Sequence, residues 1–319
     1  MDHLPDKGPQ AAEQSRMPTW AVISILALLS VSVILIFHRL VVVWQAGGQQ
    51  TVRPTLAIGV VPATQTDAET YKTWGLAALN RQEYEQAAAD FGDAVRLNPD
   101  DAEAHYHRAR ACFLMGEYQL ALQSLNAAIQ LRPDYAEAYY YRGATYAALG
   151  AYDWAIAEQT KAISLIPEFP RAYHQRGKAH FLQMEYALSI ADYDRALELD
   201  PDWAECYFDR AVAWLAVEDY AAAQADLTEA IVRVPDWGEA FYWRGNASFR
   251  RQQFDQALED FNTAIVLMPE HAASYHARGM THRKLGHKDE AIADFERVLT
   301  LTMDPNLVAG AQMQLDELQ

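Results

Sequence analysis

The side chains that could catalyse a reaction or bind a metal are ten histidines, two cysteines and many carboxylates. His105 and His107 stand two positions apart, so on a helix they point in different directions and make a poor metal pair. Cys112 and Cys206 have no CxxC spacing, which argues against a disulfide framework and a thiolate zinc site. We therefore expect no metal and no cofactor.

Motifs with a defined catalytic mechanism are missing from the sequence. It contains no GxxxxGK[ST], HExxH, GxSxG or SxxK, the patterns of phosphate-binding loops, zinc peptidases and serine acyl-enzymes. The carboxylates are numerous, but no acid and base among them can be paired from the sequence. We predict that the protein is not an enzyme and assign no catalytic residue.

The net charge of −17 lies entirely after residue 67, where 22 basic residues stand against 39 acidic ones. Such an acidic region argues against non-specific nucleic-acid binding, which needs basic side chains to displace counterions. One stretch is an exception: it contains Arg171, His174, Arg176, Lys178 and His180, and no acid until Glu185. This local basic stretch is a candidate contact for an acidic partner.

A long apolar run near the N-terminus predicts a membrane span. Residues 20–37 are eighteen residues without a charge, and a helix of that length crosses roughly 30 Å of hydrocarbon. Trp20 and Trp44 would lie at the two interfaces. We predict a tail at 1–18, a transmembrane anchor at 19–44 and a flexible linker at 45–67, rich in Gln, Gly, Thr and Pro.

A cleaved signal peptide is the alternative for this segment. Its apolar region is expected to be about 7–15 residues, shorter than the run observed, and only Ala46-Gly47-Gly48 offers a tolerable cleavage pattern. We favour a single-pass anchor. Two basic residues stand on each side of the span, so the positive-inside rule leaves the orientation open. Because N-in anchors are common, we place the large C-terminal region outside the cytosol.

After residue 67 the sequence repeats every 34 residues, with Arg, Pro and Ala each recurring in a column of six. Each repeat predicts two amphipathic helices joined by a turn and ended by a proline, which cannot continue the second helix. Several Asp-x-x-Glu sequences at the start of the first helix predict capping boxes. These are Asp100…Glu103, Asp134…Glu137, Asp202…Glu205 and Asp236…Glu239.

The pattern resembles the tetratricopeptide repeat (TPR) family, which has a small residue at position 8, Ala at 20 and an aromatic residue at 24. Counting from Ala68, the small residues and alanines recur in register, and Gln159 is the poor fit at position 24. Seven units fit within 68–305. They are 68–101, 102–135, 136–169, 170–203, 204–237, 238–271 and 272–305.

The resemblance implies an all-α fold. We expect a right-handed α-solenoid of seven TPR helix pairs, preceded by the single transmembrane helix. Residues 306–319 predict a C-terminal capping helix, with Asp304 as N-cap and Pro305 in the first turn. A polar-outside terminal helix of this kind is what a repeat array needs to close its end.

Two charged columns predict a ladder of ion pairs. Position 7 is Arg in units two to seven, and position 23 is acidic in every unit except the second, which has Ser124. Pairing within units leaves two mismatches and pairing across units leaves one, so we predict that each acid binds the Arg of the next unit. The predicted structural pairs are Asp90–Arg108, Glu158–Arg176, Asp192–Arg210, Asp226–Arg244 and Asp260–Arg278.

In the TPR family the first helices line a concave groove that binds peptides, chiefly through positions 2, 5, 9, 12 and 13. The resemblance therefore implies partner-binding residues in the equivalent places, with the aromatic side chains exposed as anchors. The predicted set is Tyr106, Arg110, Tyr140, Arg171, His174, Lys178, Phe181, Phe208, Tyr242, Asn246 and Phe249.

These observations predict a membrane-anchored scaffold or assembly factor that binds a protein or peptide partner in the groove. Arg171, His174, Lys178 and Phe181 would contact an acidic segment or a terminal carboxylate of that partner. The alternative is a self-associating structural module without a separate client. The membrane is expected as a further partner, through the N-terminal helix, and nucleic acid is not.

Overall fold

The computed structural model describes residues 66–318. The predicted tail, the anchor and nearly all of the linker lie outside these residues, as does Gln319. Within the described part of the chain, no helix is both long enough and apolar enough to cross a membrane. The prediction of a span at 19–44 therefore stays a prediction.

Residues 66–318 form fifteen α-helices and no strand, arranged as an all-α solenoid. Each unit supplies two antiparallel helices of 13 or 14 residues. The helices are α1 Ala68–Asn80, α2 Tyr84–Leu97, α3 Ala102–Leu114, α4 Tyr118–Leu131, α5 Ala136–Ala148, α6 Tyr152–Leu165, α7 Pro170–Leu182, α8 Tyr186–Leu199, α9 Ala204–Ala216, α10 Tyr220–Arg233, α11 Gly238–Arg250, α12 Phe254–Leu267, α13 Ala272–Leu285, α14 Lys288–Leu301 and α15 Pro305–Leu318.

Consecutive first helices contact one another along the array more closely than consecutive second helices do. The first helices, α1 to α13 by odd numbers, therefore lie on the inner side of the curve. We call the surface that they form the first-helix face. It is the surface to which the TPR resemblance assigns partner binding.

Every unit makes its turn with one residue in the left-handed region, at position 15. Three units use glycine there, and four use other residues with φ between 61° and 63°: Gln82, Met184, Glu218 and Gln252. A left-handed residue reverses the chain within a few residues and lets the second helix return along the first. The tight turn brings position 8 of the first helix against position 24 of the second.

The core of each unit is a matched pair of one small and one larger side chain. Gly75, Gly177, Gly245 and Gly279 face Phe91, Tyr193, Phe261 and Phe295, which are all fully or almost fully buried. A Cβ atom on Gly245 would lie 2.7 Å from Phe261 Cε1. Units two and five instead combine an alanine with a leucine, at Ala109–Leu125 and Ala211–Leu227, all buried. Volume is therefore conserved across the helix pair.

Gln159 takes the position of the aromatic ring in unit three. It is buried against Gly143, and its Nε2 donates a hydrogen bond to the Tyr140 carbonyl at 2.9 Å. Its Oε1 is buried and without a hydrogen-bond partner among residues 66–318. The misfit seen in the sequence is thus a polar group inside the core of this unit.

The predicted capping boxes are wrong by one residue. The N-cap residues are Asp101, Tyr135, Trp203 and Trp237, and of these only Asp101 caps with its side chain, accepting from the amides of Glu103 and Ala104 at 3.0 Å. The aromatic N-cap residues use their rings in contacts between units, which are described below.

The capping helix α15 begins as predicted. Asp304 Oδ1 accepts hydrogen bonds from the backbone amides of Asn306 and Leu307, at 2.8 and 3.2 Å, and Pro305 occupies the first helical position. Ala311 and Leu315 are buried against Phe295 and Val298 of α14. The helix covers the apolar side of the seventh unit, as a capping helix does at the end of a repeat array.

The paired core positions predict that Gly245→Ala destabilises the protein by about 1–2 kcal/mol, because the new methyl group overlaps the Phe261 ring. Adding Phe261→Leu should recover most of that loss, because the pair then has the composition of Ala211–Leu227. Denaturant titration of the two single variants and the double variant measures the coupling. Strictly additive effects would contradict this account.

Candidate partner-binding surface

The arginine at position 7 is bound to the acid at position 23 of its own unit in units three to seven. In unit five, Arg210 Nε donates to Asp226 Oδ2 at 2.8 Å and Nη2 donates to Oδ1 at 2.6 Å. Such two-pronged geometry is the strong form of the arginine–carboxylate bond. The five pairs are Arg142–Glu158, Arg176–Asp192, Arg210–Asp226, Arg244–Asp260 and Arg278–Asp294.

The same arginines also reach the preceding unit. Arg210 Nη1 donates to Asp194 Oδ1 at 2.6 Å, and Arg244 Nη1 donates to Thr228 Oγ1 at 3.2 Å. The acceptor is always at position 25 of the second helix before it. The other three are Asn126 for Arg142, Thr160 for Arg176 and Asn262 for Arg278. Each guanidinium therefore joins three helices.

An aromatic ring at position 4 completes the surroundings of each of these arginines. The guanidinium carbon of Arg210 lies 5.5 Å from the centre of the Tyr207 ring, within the range of a cation–π interaction. The same contact recurs at 5.3–5.6 Å in the other four units, between Arg142 and Tyr139, Arg176 and Tyr173, Arg244 and Phe241, and Arg278 and Tyr275.

The predicted pairing across units is wrong. Asp226, for example, binds Arg210 of its own unit and not Arg244. The turn at position 15 lies halfway between positions 7 and 23, so it brings these two positions of one unit face to face. The arginine of the next unit contacts position 25 instead. None of the predicted pairs Asp90–Arg108, Glu158–Arg176, Asp192–Arg210, Asp226–Arg244 and Asp260–Arg278 is an ion pair in the described residues.

The mismatches that favoured pairing across units are accommodated in other ways. Asp90 is buried and accepts a hydrogen bond from Gln86 Nε2 at 2.8 Å. Arg108 faces Ser124 at position 23 and Gly92 at position 25, so both of its acceptors are missing. In unit one, Trp74 replaces the arginine and is exposed, with its ring edge-on to Tyr71. Counting mismatches was therefore a poor guide to geometry.

Burial opposes the charged form of these acids. It raises the pKa of Asp226 and of Asp260, and the hydrogen bonds from Arg210 and Arg244 act against that shift. Removing the arginine alone would leave a buried carboxylate without its cation, which is strongly destabilising.

A second column of contacts joins each first helix to the N-cap of the next. The side chain at position 5 packs on the N-cap residue at position 34, as Phe208 does on Trp237, with ring centres 4.5 Å apart. The equivalent contacts are Tyr106–Tyr135 at 4.9 Å, Tyr140–Phe169 at 5.2 Å, His174–Trp203 at 4.3 Å and Tyr242–His271 at 4.9 Å. This column of contacts was not predicted from the sequence.

Unit one replaces the ring contact by an ion pair at the same two positions. Lys72 is buried, and its Nζ lies 3.1 Å from Asp101 and 3.2 Å from Glu103. Burial alone would lower the pKa of Lys72, but the hydrogen bonds that Lys72 donates to these carboxylates outweigh it and raise the pKa. In the sequence, positions 5 and 34 change together from aromatic residues to a lysine and an aspartate in unit one. That joint change was the signal that could have revealed the contact.

The aromatic residues predicted as exposed anchors are therefore committed to packing. Tyr140, Phe208 and Tyr242 are half-buried in the column just described, and desolvation raises the pKa of Tyr140 to about 12. Phe181 and Phe249, also half-buried, pack on the first residue of their own second helices, Tyr186 and Phe254, at ring distances of 5.4 and 5.5 Å. Tyr106 is likewise packed, against Tyr135 and Tyr141. The prediction that these rings stand free in the groove is wrong.

In the structure, the basic stretch of unit four contains both buried and exposed residues. His174 is buried, with Nε2 2.8 Å from Asp209 Oδ2 of unit five, and Lys178 Nζ lies 3.8 Å from the same oxygen. Burial acts to raise the pKa of Asp209, yet Lys178 and His174 hold it below its usual range. His174 is therefore not available to a partner. Arg171 is exposed, and so is Lys178.

Arg110 and Arg171 are the cations of the predicted set that have no hydrogen-bond or ion-pair partner among the described residues. The Nε of Arg110 is buried without an acceptor. Asn246, by contrast, donates to the Tyr242 carbonyl at 2.8 Å and is partly satisfied. The geometry thus reduces the predicted set of eleven residues to Arg110, Arg171 and Lys178 as groups able to bind an anion.

Among residues 66–318, no group of three or more His, Cys, Asp or Glu side chains is placed to hold a metal ion. Cys112 and Cys206 are both buried and unpaired, and burial raises the pKa of each thiol. These thiols are therefore poor nucleophiles.

The sequence matches family models described as "Tetratricopeptide repeat" over residues 72–171, 170–202 and 238–305. Together these matches cover well over half of the chain, and the chain belongs to the tetratricopeptide repeat family. Unit five, at 204–237, lies between the matched segments, but it has the same helix pair and the same ion pair as its neighbours.

Solved structures show the same fold. YrrB, described as "a TPR protein with an unusual peptide-binding site", is 24% identical with a TM-score of 0.53, over 60% of this chain and 99% of that one. A tetratricopeptide repeat protein from Parabacteroides merdae is 17% identical with a TM-score of 0.55, over 79% and 98%. The C-terminal part of one from Cytophaga hutchinsonii is 13% identical with a TM-score of 0.61, over 75% and 98%. A search of curated proteins gave no match.

The arginine–carboxylate pairs predict that replacing the arginine at position 7 lowers the free energy of unfolding by an amount that depends on the unit. Arg210→Met should lower the free energy of unfolding by roughly 3 kcal/mol, because it leaves Asp226 buried and unpaired. Arg108→Met is the matched control, since Arg108 has no acidic partner in the described residues, and it should cost about 1 kcal/mol or less. Equal losses in denaturant titrations of the two variants would refute the pairing.

Proposed function

We propose that the protein is a membrane-anchored scaffold or assembly factor, held by the predicted helix at 19–44, whose first-helix face binds a protein or peptide partner. Membership of the tetratricopeptide repeat family supports the general role, since such repeats are typical of protein–protein interaction and not of catalysis. The anchor rests on the uncharged run at 20–37 in the sequence.

One observation carries the choice of surface and of ligand chemistry. Arg110 and Arg171 lie at positions 9 and 2 of first helices, and neither is paired within residues 66–318. The Nε of Arg110 is buried without an acceptor, which is costly, whereas Arg171 is exposed. A carboxylate from a partner would bind either guanidinium with two parallel hydrogen bonds. The partner is therefore proposed to present acidic side chains or a terminal carboxylate.

The arginines of the interrepeat contacts do not compete for this role. Arg142, Arg176, Arg210, Arg244 and Arg278 each have a carboxylate on one side and a ring on the other. They fix the spacing of the units, so the free cations are presented on a rigid surface. Rigid presentation reduces the entropy lost on binding.

The proposal predicts that Arg110→Glu with Arg171→Glu weakens partner binding by at least about tenfold, because two attractive contacts become repulsive. The partner is first captured with the full-length protein from native membranes and identified by mass spectrometry, and it is then titrated directly. Lys161→Glu with Lys288→Glu is the matched control, since it makes the same charge change at exposed positions outside the first helices.

Unchanged affinity of the Arg110/Arg171 variant, or an equal loss in the control, would remove the first-helix face as the binding surface. Capture of no protein other than a second copy of this chain, with a dimer or larger species in light scattering, would favour the self-associating module instead. Recovery of the protein in the soluble fraction of lysed cells would contradict the anchor.

A further inference from the structure

The turns of units two to five form an exposed apolar surface that the first-helix face does not include. Position 19, in the first turn of the second helix, holds Leu120, Trp154 and Leu188 in three successive units, and these side chains are 42%, 63% and 52% exposed. Because the position is the same in each repeat, the three lie in one row. We call this surface, with Leu149, Met184 and Val217 of the turns, the apolar edge.

The apolar edge is confined to the middle of the array. The residues equivalent to Leu120 are Gln86 in unit one, Gln256 in unit six and Glu290 in unit seven. Met184 is 66% exposed at the left-handed turn position, where units one and six have glutamine. Polar side chains thus satisfy the fold at both positions, so packing does not require the apolar ones. Exposed apolar side chains that are grouped on one side of an array mark a candidate interaction site.

The charged residues inside the turns of the apolar edge are all acidic. Basic groups lie beside two of these turns: His180 Nδ1 is 2.6 Å from Glu185 Oε2, and Arg250 acts electrostatically on Tyr220. The four turn segments 114–121, 148–155, 182–189 and 216–223 contain no Lys, Arg or His, and their charged residues are all acidic. These are Glu117, Asp153, Glu185, Glu218 and Asp219, each of them exposed. The turns of units one, six and seven, by contrast, contain Arg81, Arg250, Arg251, Lys284 and Lys288. The one-sign acidic border therefore coincides with the apolar row.

Two contacts hold the edge in shape, one between neighbouring turns and one within a unit. Gln183 Nε2 of unit four donates to Asp153 Oδ1 of unit three at 2.6 Å, and the Trp154 ring lies 6.0 Å from the Tyr146 ring of its own unit. A preformed surface binds with less loss of conformational freedom than one that must first be ordered.

We propose that the apolar edge docks an amphipathic helix of a partner protein, with an apolar face and Lys or Arg along its borders. The apolar row would bury the face of that helix, in the manner of helix-in-groove recognition. The acidic turns would bind its basic borders and speed association. An anionic membrane surface fits poorly, because the same acidic residues would be repelled by its headgroups.

Site-specific photocrosslinking in the full-length protein, in its native cells, tests the proposal. A photoreactive residue is placed at position 154 or 188, and the matched controls carry it at 256 or 290, the same repeat position in units six and seven. We expect crosslinks to another protein from 154 and 188 and not from the controls. The crosslinked segment, mapped by mass spectrometry, should combine apolar residues at helical spacing with basic borders.

A synthetic peptide of the mapped segment then measures the contact. Trp154→Gln with Leu188→Gln should weaken its binding at least about tenfold, while Gln256→Ala at the same repeat position should leave it unchanged. Reversing the basic residues of the peptide to Glu should also weaken binding, most clearly at low salt. The Arg110→Glu, Arg171→Glu protein should bind this peptide normally, which separates the edge from the proposed groove.

Crosslinks to lipid, crosslinks to a second copy of this chain, or no difference between the edge and the control positions would each overturn the proposal. Equal binding of the peptide to the wild-type protein and to the Trp154/Leu188 variant would overturn it as well. The substituted side chains are exposed, so the variants are expected to fold, and unchanged denaturation midpoints confirm that any loss belongs to binding.

Discussion

The guanidinium group at position 7 is the interaction on which the rest of the array depends. In five successive units it binds the carboxylate of its own second helix, the acceptor at position 25 of the preceding second helix and the face of an aromatic ring. A planar group with five donors in a fixed fork can do this, and a lysine could not. Because the three helices belong to two units, one side chain fixes both the pairing within a unit and the step to the next.

The remaining contacts follow from that step. Once the two helices of a unit are paired, glycine at position 8 and the ring at position 24 fill the space between them. Alanine with leucine fills the same space equally well. Once neighbouring units are in register, position 5 meets the next N-cap, either as two rings or as the Lys72–Asp101 ion pair. Repeat proteins gain their stability from such nearest-neighbour terms. The surfaces that these contacts leave unused are the free cations of the first helices and the apolar edge.

The helix pairs, the small residues at position 8 and the cap at Asp304 could be predicted from the sequence, because periodicity and capping depend on local spacing. The partners of the charged columns could not. Positions 7 and 23 recur with the same period, so the sequence is compatible with pairing either within or across units, and only the geometry of the turn decides. The contact between positions 5 and 34 did leave such a signal, because both positions are charged in unit one, at Lys72 and Asp101, and mostly aromatic in later units. That signal was overlooked.

The candidate site was harder to predict, for a related reason. An aromatic residue on a first helix can face the groove or the next unit, and helical spacing does not distinguish the two. His174 illustrates this: it belongs to a basic stretch in the sequence, but Asp209 of the next unit binds it and removes it from the surface. Arg110 and Arg171 remain because no described residue provides an acceptor for them. Which cation is free is a property of the whole array and not of any local pattern.

Hydrogen–deuterium exchange on the Arg244→Met variant tests the central claim most directly, that one guanidinium couples two units. Arg244 contacts Asp260 on α12 and Thr228 on α10, and it lies on α11. The account predicts that amide protection falls in all three of these helices and is kept in α1 to α6. A loss confined to α11 and α12 would contradict the coupling between units, since α10 would then be held without it.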